Sequence, residues 1–195
     1  DLGSNPGSAN VLELSAAELN QITAGVLEIG SANTGAISVT AAIAPANTTT
    51  VHLITGATGT SVSQSAGSTI TETNLVIEAD AAVTLNEDND VDVLAVDVSD
   101  TGEISFTDAD GLTVGTVDGV SGLDANAGNV TVTTGSGGGA STGLQVSQNI
   151  VADSGGAGTS TVSLSGTVAD EAFVLDDNTS INSNDGKITL TFDNF

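Results

Sequence analysis

The amino-acid sequence predicts an all-β fold, with a parallel β-helix as the favoured architecture and a β-sandwich of several short strands as the alternative. Three observations support this prediction. Short runs that alternate apolar and hydroxyl side chains recur along the chain, as expected of strands with one buried face. Turns rather than long helical segments separate these runs, which is hard to reconcile with a doubly wound fold. The apolar residues are mainly Val, Ile, Leu and Ala, which suit a narrow interior between stacked strands.

A short alternating quartet, seen most clearly at residues 130–133 (VTVT), is the repeating unit of the chain. Copies of it begin at Ile37, Val83, Ile104, Val130, Val162 and Ile188. Successive copies begin 46, 21, 26, 32 and 26 positions apart, and the first interval fits two repeats, of which the middle one has lost the motif. A strand that recurs at such spacing indicates a solenoid, in which each turn buries its apolar face against its neighbours.

The alternation also predicts which side chains are buried. The first and third residues of each quartet should point inward, and the residues between them should line an outer face. We expect the third residues to be buried along a single core: Val39, Leu85, Phe106, Val132, Leu164 and Leu190. We expect the second residues to stack as a ladder of hydroxyls on the outside: Ser38, Thr84, Ser105, Thr131, Ser163 and Thr189.

Residues 1–195 are predicted to form a single repeat module with two irregular features. Residues 16–24 are the one helix candidate, a short cap, because Ser15 and Glu18 have the spacing of a capping box. The Gly- and Ser-rich segment 135–143 predicts a surface loop or small insertion. It is too short to indicate a linker between domains.

The composition excludes several classes of partner. The 25 Asp and Glu residues face a single Lys or Arg, for a formal net charge of −24. We expect no nucleic-acid partner, because no cationic surface exists to neutralise phosphates, and no attraction to anionic membranes. The chain has no Cys, which rules out disulfides and thiolate chemistry. No apolar stretch approaches the length of a membrane span, so membrane insertion is not expected.

Three stretches carry a resemblance to a known family: 25–45 (GVLEIGSANTGAISVTAAIAP), 83–98 (VTLNEDNDVDVLAVDV) and 103–123 (EISFTDADGLTVGTVDGVSGL). They resemble the repeat region of large secreted bacterial β-strand-repeat proteins, the filamentous-haemagglutinin-like adhesins and their relatives, over roughly residues 11–195. The resemblance implies a right-handed parallel β-helix, export across the cell envelope, and a rod-like structural or adhesive role without catalytic residues. This chain departs from the family in its acidity and has no recognisable secretion or adhesin-tip module.

A concentration of acids in the middle of the chain is the candidate metal site. Residues 80–124 contain twelve of the 25 acidic residues. The candidate ligands are Asp88, Asp90, Asp92, Asp108 and Asp110. The first three would share one face of a strand, and the last two could bracket a turn. Such oxygen ligands suit Ca²⁺, but solvated carboxylates that oppose aggregation are the simpler interpretation. No other cofactor is expected.

Catalysis is not expected. A glycosidase needs two opposed carboxylates and contacts that distort the sugar, but the chain has no Trp, Tyr or Arg to hold one. The single histidine, His52, lies in an alternating run and has no acidic neighbour in the sequence. An ordinary strand position is therefore favoured over membership of a serine triad.

The sequence thus predicts a structural module or subunit of an exported bacterial surface fibre or adhesin, located outside the cell or at its surface. The expected partners are adjacent modules or identical subunits joined end to end, because nothing closes the edge of the final alternating run, 186–195. A cell-surface or glycan target is a further candidate. One alternative is a calcium-stabilised adhesive or glycan-binding β-helix. Another is an ice-binding β-helix, although mixed Ser and Thr identities and irregular turn lengths argue against it.

Overall fold

The computed structural model describes residues 1–4, 7, 11–139, 141–156 and 159–194. The protein is almost entirely β, with 50% of its residues in strands and 2% in helix. Among the described residues, every pairing of named strands is parallel except one antiparallel hairpin. The all-β prediction is therefore confirmed, and the large parallel sheet is compatible with the predicted β-helix. An antiparallel sandwich does not have this pairing.

The first ten strands, in chain order, are β1 (Leu2–Gly3), β2 (Leu14–Ser15), β3 (Val26–Ser31), β4 (Ile37–Val39), β5 (Thr50–Thr55), β6 (Val62–Gln64), β7 (Thr71–Ala79), β8 (Val83–Val98), β9 (Ile104–Asp108) and β10 (Leu112–Val114). The strands that follow are β11 (Thr116–Val117), β12 (Val120–Ser121), β13 (Leu123–Ala125), β14 (Val130–Thr134), β15 (Leu144–Val146), β16 (Ile150–Ala152), β17 (Val162–Gly166), β18 (Phe173–Leu175), β19 (Ile181–Asn182) and β20 (Ile188–Thr191). One short helix, α1 (Ala16–Leu19), completes the elements of the described segments.

Two parallel ladders make up the large sheet. Ladder A passes in order through β4, β6, the start of β8, β9, β14, β17 and β20. Ladder B passes through β3, β5, β7 and the end of β8. In each later layer, two short strands that follow one another take the place of one long strand: β10 and β13, then β15 and β16, then β18 and β19. Strand β8 belongs to both, with a register irregularity between Leu85 and Asn89. We call one strand of ladder A and its counterpart in ladder B a layer.

The quartets are stacked in register along ladder A, as predicted. Val83, Ile104 and Val130 lie side by side on successive strands. The repeat that has lost the quartet motif contains β6, whose Val62 lies between Ile37 and Val83. The interval of 46 positions therefore contains two layers. Turn lengths vary between layers, but the register is kept because the apolar positions of every strand must face the same interior.

Five of the six third-position residues belong to one buried cluster: Val39, Leu85, Phe106, Val132 and Leu164, each at most 1% exposed. The prediction is wrong for Leu190, which is 36% exposed. Strand β20 pairs with β17 on one side, and within the described residues no further strand pairs with its other edge. The inward side of this last layer is therefore open to solvent.

Helix α1 begins as predicted but ends earlier. The capping box is present: Ser15 Oγ accepts a hydrogen bond from the Glu18 N–H at 3.3 Å, and the Glu18 carboxylate accepts one from the Ser15 N–H at 2.9 Å. The helix spans Ala16–Leu19 rather than 16–24. After Leu19 the backbone continues in tighter turns, in which the N–H groups of Gln21 and Ile22 donate to carbonyls three residues earlier. Asn20 forms hydrogen bonds with the backbone of Ala46 and with the side chain of Asn47.

The Gly- and Ser-rich segment 135–143 connects β14 to β15 at a corner between the two ladders. In the preceding layer, only residues 109–111 connect β9 to β10, so the connection at this corner is longer by six residues. The Gly135 N–H donates to the Asp110 carbonyl at 2.8 Å, and Ser136 donates to the Asp108 carbonyl. These bonds hold the segment against the corner of the layer before it. No helix in the described segments is long and apolar enough to cross a membrane.

Candidate functional site

Strand β8 carries the first three predicted calcium ligands on its outward side. Asp88, Asp90 and Asp92 alternate with buried residues and are exposed, so they share a face as predicted. Asp90 and Asp92 border an open pocket of about 460 Å³, which is also bordered by Glu72. Glu72 is buried and accepts a hydrogen bond from Thr48 Oγ1 at 2.6 Å. Part of its ligand capacity is therefore already used by the protein.

Asp108 and Asp110 bracket a turn after β9, but their side chains have different environments. Asp110 is exposed, whereas Asp108 is 0% exposed. The two carboxylate oxygens of Asp108 accept hydrogen bonds from the backbone N–H groups of Val91 and Asp110, at 3.0 and 3.1 Å. Burial raises the pKa of Asp108 to about 7, and these two hydrogen bonds oppose the rise. Asp108 therefore satisfies backbone donors inside the protein.

A buried amide lies next to Asp108 in the adjoining layer. Asn89, also 0% exposed, lies beside Asp108 in the parallel register. Its amide nitrogen donates to the Thr107 carbonyl at 3.0 Å. Its amide oxygen accepts from Gln64 Nε2 at 2.6 Å and from the Ile70 N–H at 2.9 Å. Asn89 and Asp108 thus connect the corners of three layers. At these corners the chain passes from ladder A to ladder B, and the two side chains provide partners for backbone groups that no strand pairs with there.

The five predicted ligands are thus divided between the outer surface and the interior. Among the described residues, no group of three or more carboxylate or imidazole side chains is arranged so that it could hold a metal ion. Specific binding of Ca²⁺ therefore stays a prediction. Four of the five predicted ligands face solvent, and two of these, Asp90 and Asp92, border the same pocket.

Sequence reasoning missed an antiparallel hairpin that leaves ladder B. Strand β10 pairs with β8 up to Leu94, and β13 resumes the pairing at Val96. Residues 115–122 between them form the hairpin β11–β12, which we call the strap. The strap closes on Asp118 and Gly119, both with positive φ, at 44° and 92°, as a two-residue hairpin turn requires.

The strap covers an apolar area on the outer face of ladder B. Val117 of the strap forms a small cluster with Val76 on β7 and Ala95 on β8, separate from the main core. Val76 and Ala95 are 0% exposed, although they alternate with residues that point inward. The strap therefore shields outward-facing apolar side chains that would otherwise contact water.

His52 connects the strap to ladder B. Its side chain is 5% exposed, with Nδ1 2.9 Å from Asp118 Oδ2 and Nε2 3.0 Å from Glu78 Oε1. The contact with Asp118 has hydrogen-bond geometry. The contact with Glu78 is not a hydrogen bond, so it is attractive only when the imidazole carries a charge. His52 occupies a strand position as predicted. It has no acidic neighbour in the sequence, but in the folded chain Glu78 and Asp118 approach it from other strands.

Further carboxylates stack beside this contact. Glu78, Asp97 and Asp124 lie side by side on β7, β8 and β13, and with Asp118 they border an open pocket of about 460 Å³. Partial burial raises the pKa of Asp97, and the neighbouring carboxylates of Asp124 and Glu78 raise it further. Like charges on adjacent strands repel, so negative charge is concentrated on this part of ladder B.

Two signals in the sequence indicate the strap in retrospect. Asp118 and Gly119 between two valines are a strong hairpin signal. The runs 75–77 and 93–96 are apolar at consecutive positions rather than alternate ones. Such runs predict strands covered on both faces. Neither signal names His52 as the contact, since it lies 66 positions from Asp118.

The outer face of ladder A carries the predicted hydroxyl ladder. The six predicted residues are in register, and Ser63 of β6 completes the column between Ser38 and Thr84. A second column runs beside it through Thr107, Thr133, Ser165 and Thr191. Neither column contains a charged residue. Ladder A therefore presents a neutral face on a strongly acidic protein.

Comparison of the sequence with models of known protein families gives no match, and comparisons with curated proteins and with solved structures give no significant match either. The resemblance to haemagglutinin-like repeat proteins therefore stays a prediction from the sequence.

Proposed function

We propose that this chain is a structural module of an exported bacterial surface fibre or adhesin, built as a right-handed parallel β-helix. Its role is mechanical: each layer provides the template for the next, and stability is the sum over neighbouring layers. The two in-register ladders support the proposal, because their interior is one continuous apolar cluster. Export and the bacterial surface are inferred from the family resemblance alone.

The observation that supports an end-to-end role is the open last layer. Ile188 and Leu190 lie beside Val162 and Leu164, which are fully buried, yet they are 42% and 36% exposed. Leu175 lies beside the buried Val146 and is 45% exposed. Apolar side chains at inward positions, next to a strand edge that no strand of the described chain pairs with, are suited to a further layer.

The partner that fits this end is a strand that continues the parallel register of β20, with apolar residues beside Ile188 and Leu190. It would belong to the adjacent module of a longer polypeptide or to an identical subunit. Because each chain carries a formal net charge of −24, association of identical subunits should require salt that screens their repulsion.

The test compares Leu190→Asp with Thr189→Asp, which adds the same charge to the same strand on its outward side. Self-association is measured by analytical ultracentrifugation over a range of ionic strengths, with electron microscopy of the assemblies. We expect end-to-end oligomers of the unchanged protein at high salt, loss of them in L190D, and retention in T189D. Equal loss in both variants would contradict pairing through the inward face.

If the unchanged protein is monomeric at every ionic strength, an identical subunit is not the partner. The remaining candidate, an adjacent module of a longer polypeptide, is then tested by the intact mass of the native protein. A mass well above that of this chain supports a neighbouring module, and a mass equal to it contradicts the end-to-end role.

Ice binding is a second candidate, favoured by the hydroxyl columns of ladder A. Irregular turn lengths argue against it from the sequence, but those turns leave the first column in register across seven strands of the described chain. Its mixed Ser and Thr residues still argue against a regular array. The test is inhibition of ice recrystallisation by the unchanged protein, by Thr131→Glu in the column, and by Thr113→Glu on ladder B. Only T131E should lose activity, and an inactive unchanged protein rejects this candidate.

A further inference from the structure

We propose that the strap is held against ladder B by a proton-dependent latch: charged His52 offsets the charges of Glu78 and Asp118, and neutral His52 leaves Asp118 among uncompensated carboxylates, which loosens the strap. The proposal rests on the two contacts of the imidazole, on the charges around it, and on the way the strap is attached.

The imidazole can attract both carboxylates only when it carries two protons and a positive charge. Its two nitrogens lie 2.9 and 3.0 Å from carboxylate oxygens of Asp118 and Glu78. A neutral imidazole has one N–H group, so one carboxylate would then face a bare nitrogen lone pair. With the ring 5% exposed, water has little access to separate the two. Because the Asp118 contact alone has hydrogen-bond geometry, the neutral ring can keep its N–H toward Asp118 only with its lone pair toward Glu78. Loss of the second proton therefore removes the positive charge that offsets the two acids and makes the Glu78 contact repulsive.

The groups around His52 are all acidic. Glu28 on β3 lies beside it in the register, Glu78 approaches from β7, and Asp118 approaches from the strap. Asp97 on β8 and Asp124 on β13 continue the row beyond Glu78. The only other cationic side chain in the sequence is a lysine. Deprotonation of His52 thus leaves Asp118 next to uncompensated negative charge.

The attachment of the strap allows it to move as a unit. Glycines at positions 115 and 122 join it to ladder B, and the Gly122 N–H donates to the Gly115 carbonyl at 2.8 Å. The strap therefore keeps its own hydrogen bonds when it lifts. Its two ends are tied to β8 by backbone hydrogen bonds, from the Gly115 N–H to the Leu94 carbonyl at 3.1 Å and from the Val96 N–H to the Gly122 carbonyl at 2.9 Å. Between these ends, the strap is held by the His52 contact and by a small apolar cluster with Val76 and Ala95. Lifting would expose an apolar area beside the row of carboxylates.

The test uses the single histidine as its own reporter. In NMR spectra, one imidazole signal follows protonation of His52, and the methyl signals of Val76 and Ala95 follow packing of the strap. We expect all three to change with the same midpoint as pH rises through the titration of His52. Methyl signals that stay constant through the imidazole titration would overturn the latch.

Asp118→Asn is the deciding variant. Asn tolerates the positive φ of the turn, and the side chain of Asp118 is 38% exposed, so folding should be retained. We expect the methyl signals of D118N to stop following the imidazole titration. Glu28→Gln is the matched control, because it makes the same charge change beside His52 without touching the strap contact, and it should retain the coupling. Coupling that persists in D118N, or that is lost equally in E28Q, contradicts the proposal.

Discussion

Ladders A and B face the same interior but differ on the outside. Inward residues of both, such as Phe106 of ladder A and Leu94 of ladder B, belong to one buried cluster. The outward positions of ladder A are a neutral face of hydroxyls, whereas ladder B carries a row of carboxylates, the buried His52 and the strap. The interior constrains every second residue and leaves the alternate positions free, so chemical differences collect on the outer faces.

The largest expected effect tests whether the two ladders share one interior. Phe106→Ala should lower the free energy of unfolding by about 3–5 kcal/mol, and Leu94→Ala by about 2–5 kcal/mol, because each leaves a cavity among buried side chains. Both residues are at most 1% exposed. Chemical denaturation measures the two losses. A loss below about 1 kcal/mol in either variant would indicate that its ladder does not pack on the common core.

The second prediction concerns the corner between the ladders, where Asp108 is buried. Its pKa is raised from 3.8 to about 7 in the folded protein, so the folded state holds a proton that the unfolded chain releases at lower pH. The resulting contribution to stability is fully present below pH 3.8 and is lost as pH rises through about 7. At ~1.4 kcal/mol per pKa unit, it is at most about 4 kcal/mol.

Asp108→Asn should therefore flatten the dependence of stability on pH between about pH 4 and pH 8. The matched control is Asp92→Asn, which removes the same charge from an exposed position on the outer face of β8. Denaturation curves measured at several pH values provide the comparison. Equal slopes in D108N and in the unchanged protein would show that Asp108 does not hold the extra proton.

The smallest effect tests the difference between the two faces of a single strand of ladder A. Val132→Thr should cost about 1–3 kcal/mol, because it places a hydroxyl without a partner in the core. The reciprocal change at the neighbouring outward position, Thr131→Val, should stay within about 0.5 kcal/mol. Val132 is 0% exposed, and Thr131 is partly exposed. Similar costs for both variants, measured by thermal unfolding, would contradict the assigned faces.

The sequence located most of the repeating strands, but it gave less information about the candidate sites. Alternation located Val132 inside and Thr131 outside, because side-chain direction in a strand follows from local position alone. It also placed Asp88, Asp90 and Asp92 on one outer face. It did not distinguish buried Asp108 from exposed Asp110. Both lie at the end of the same strand, and their burial depends on what the adjoining layer places against them.

The sequence by itself determined the strand pattern, the inward positions and the strong negative charge, since each is a property of local order or of composition. Only the tertiary structure decided which distant residues meet. His52 and Asp118 are 66 positions apart, and their contact depends on the number of layers between them and on the path of the strap. The exposure of Leu190 depends likewise on which strand lies beyond it. A local pattern specifies a side chain's direction, but burial and pairing depend on neighbours brought close by the fold.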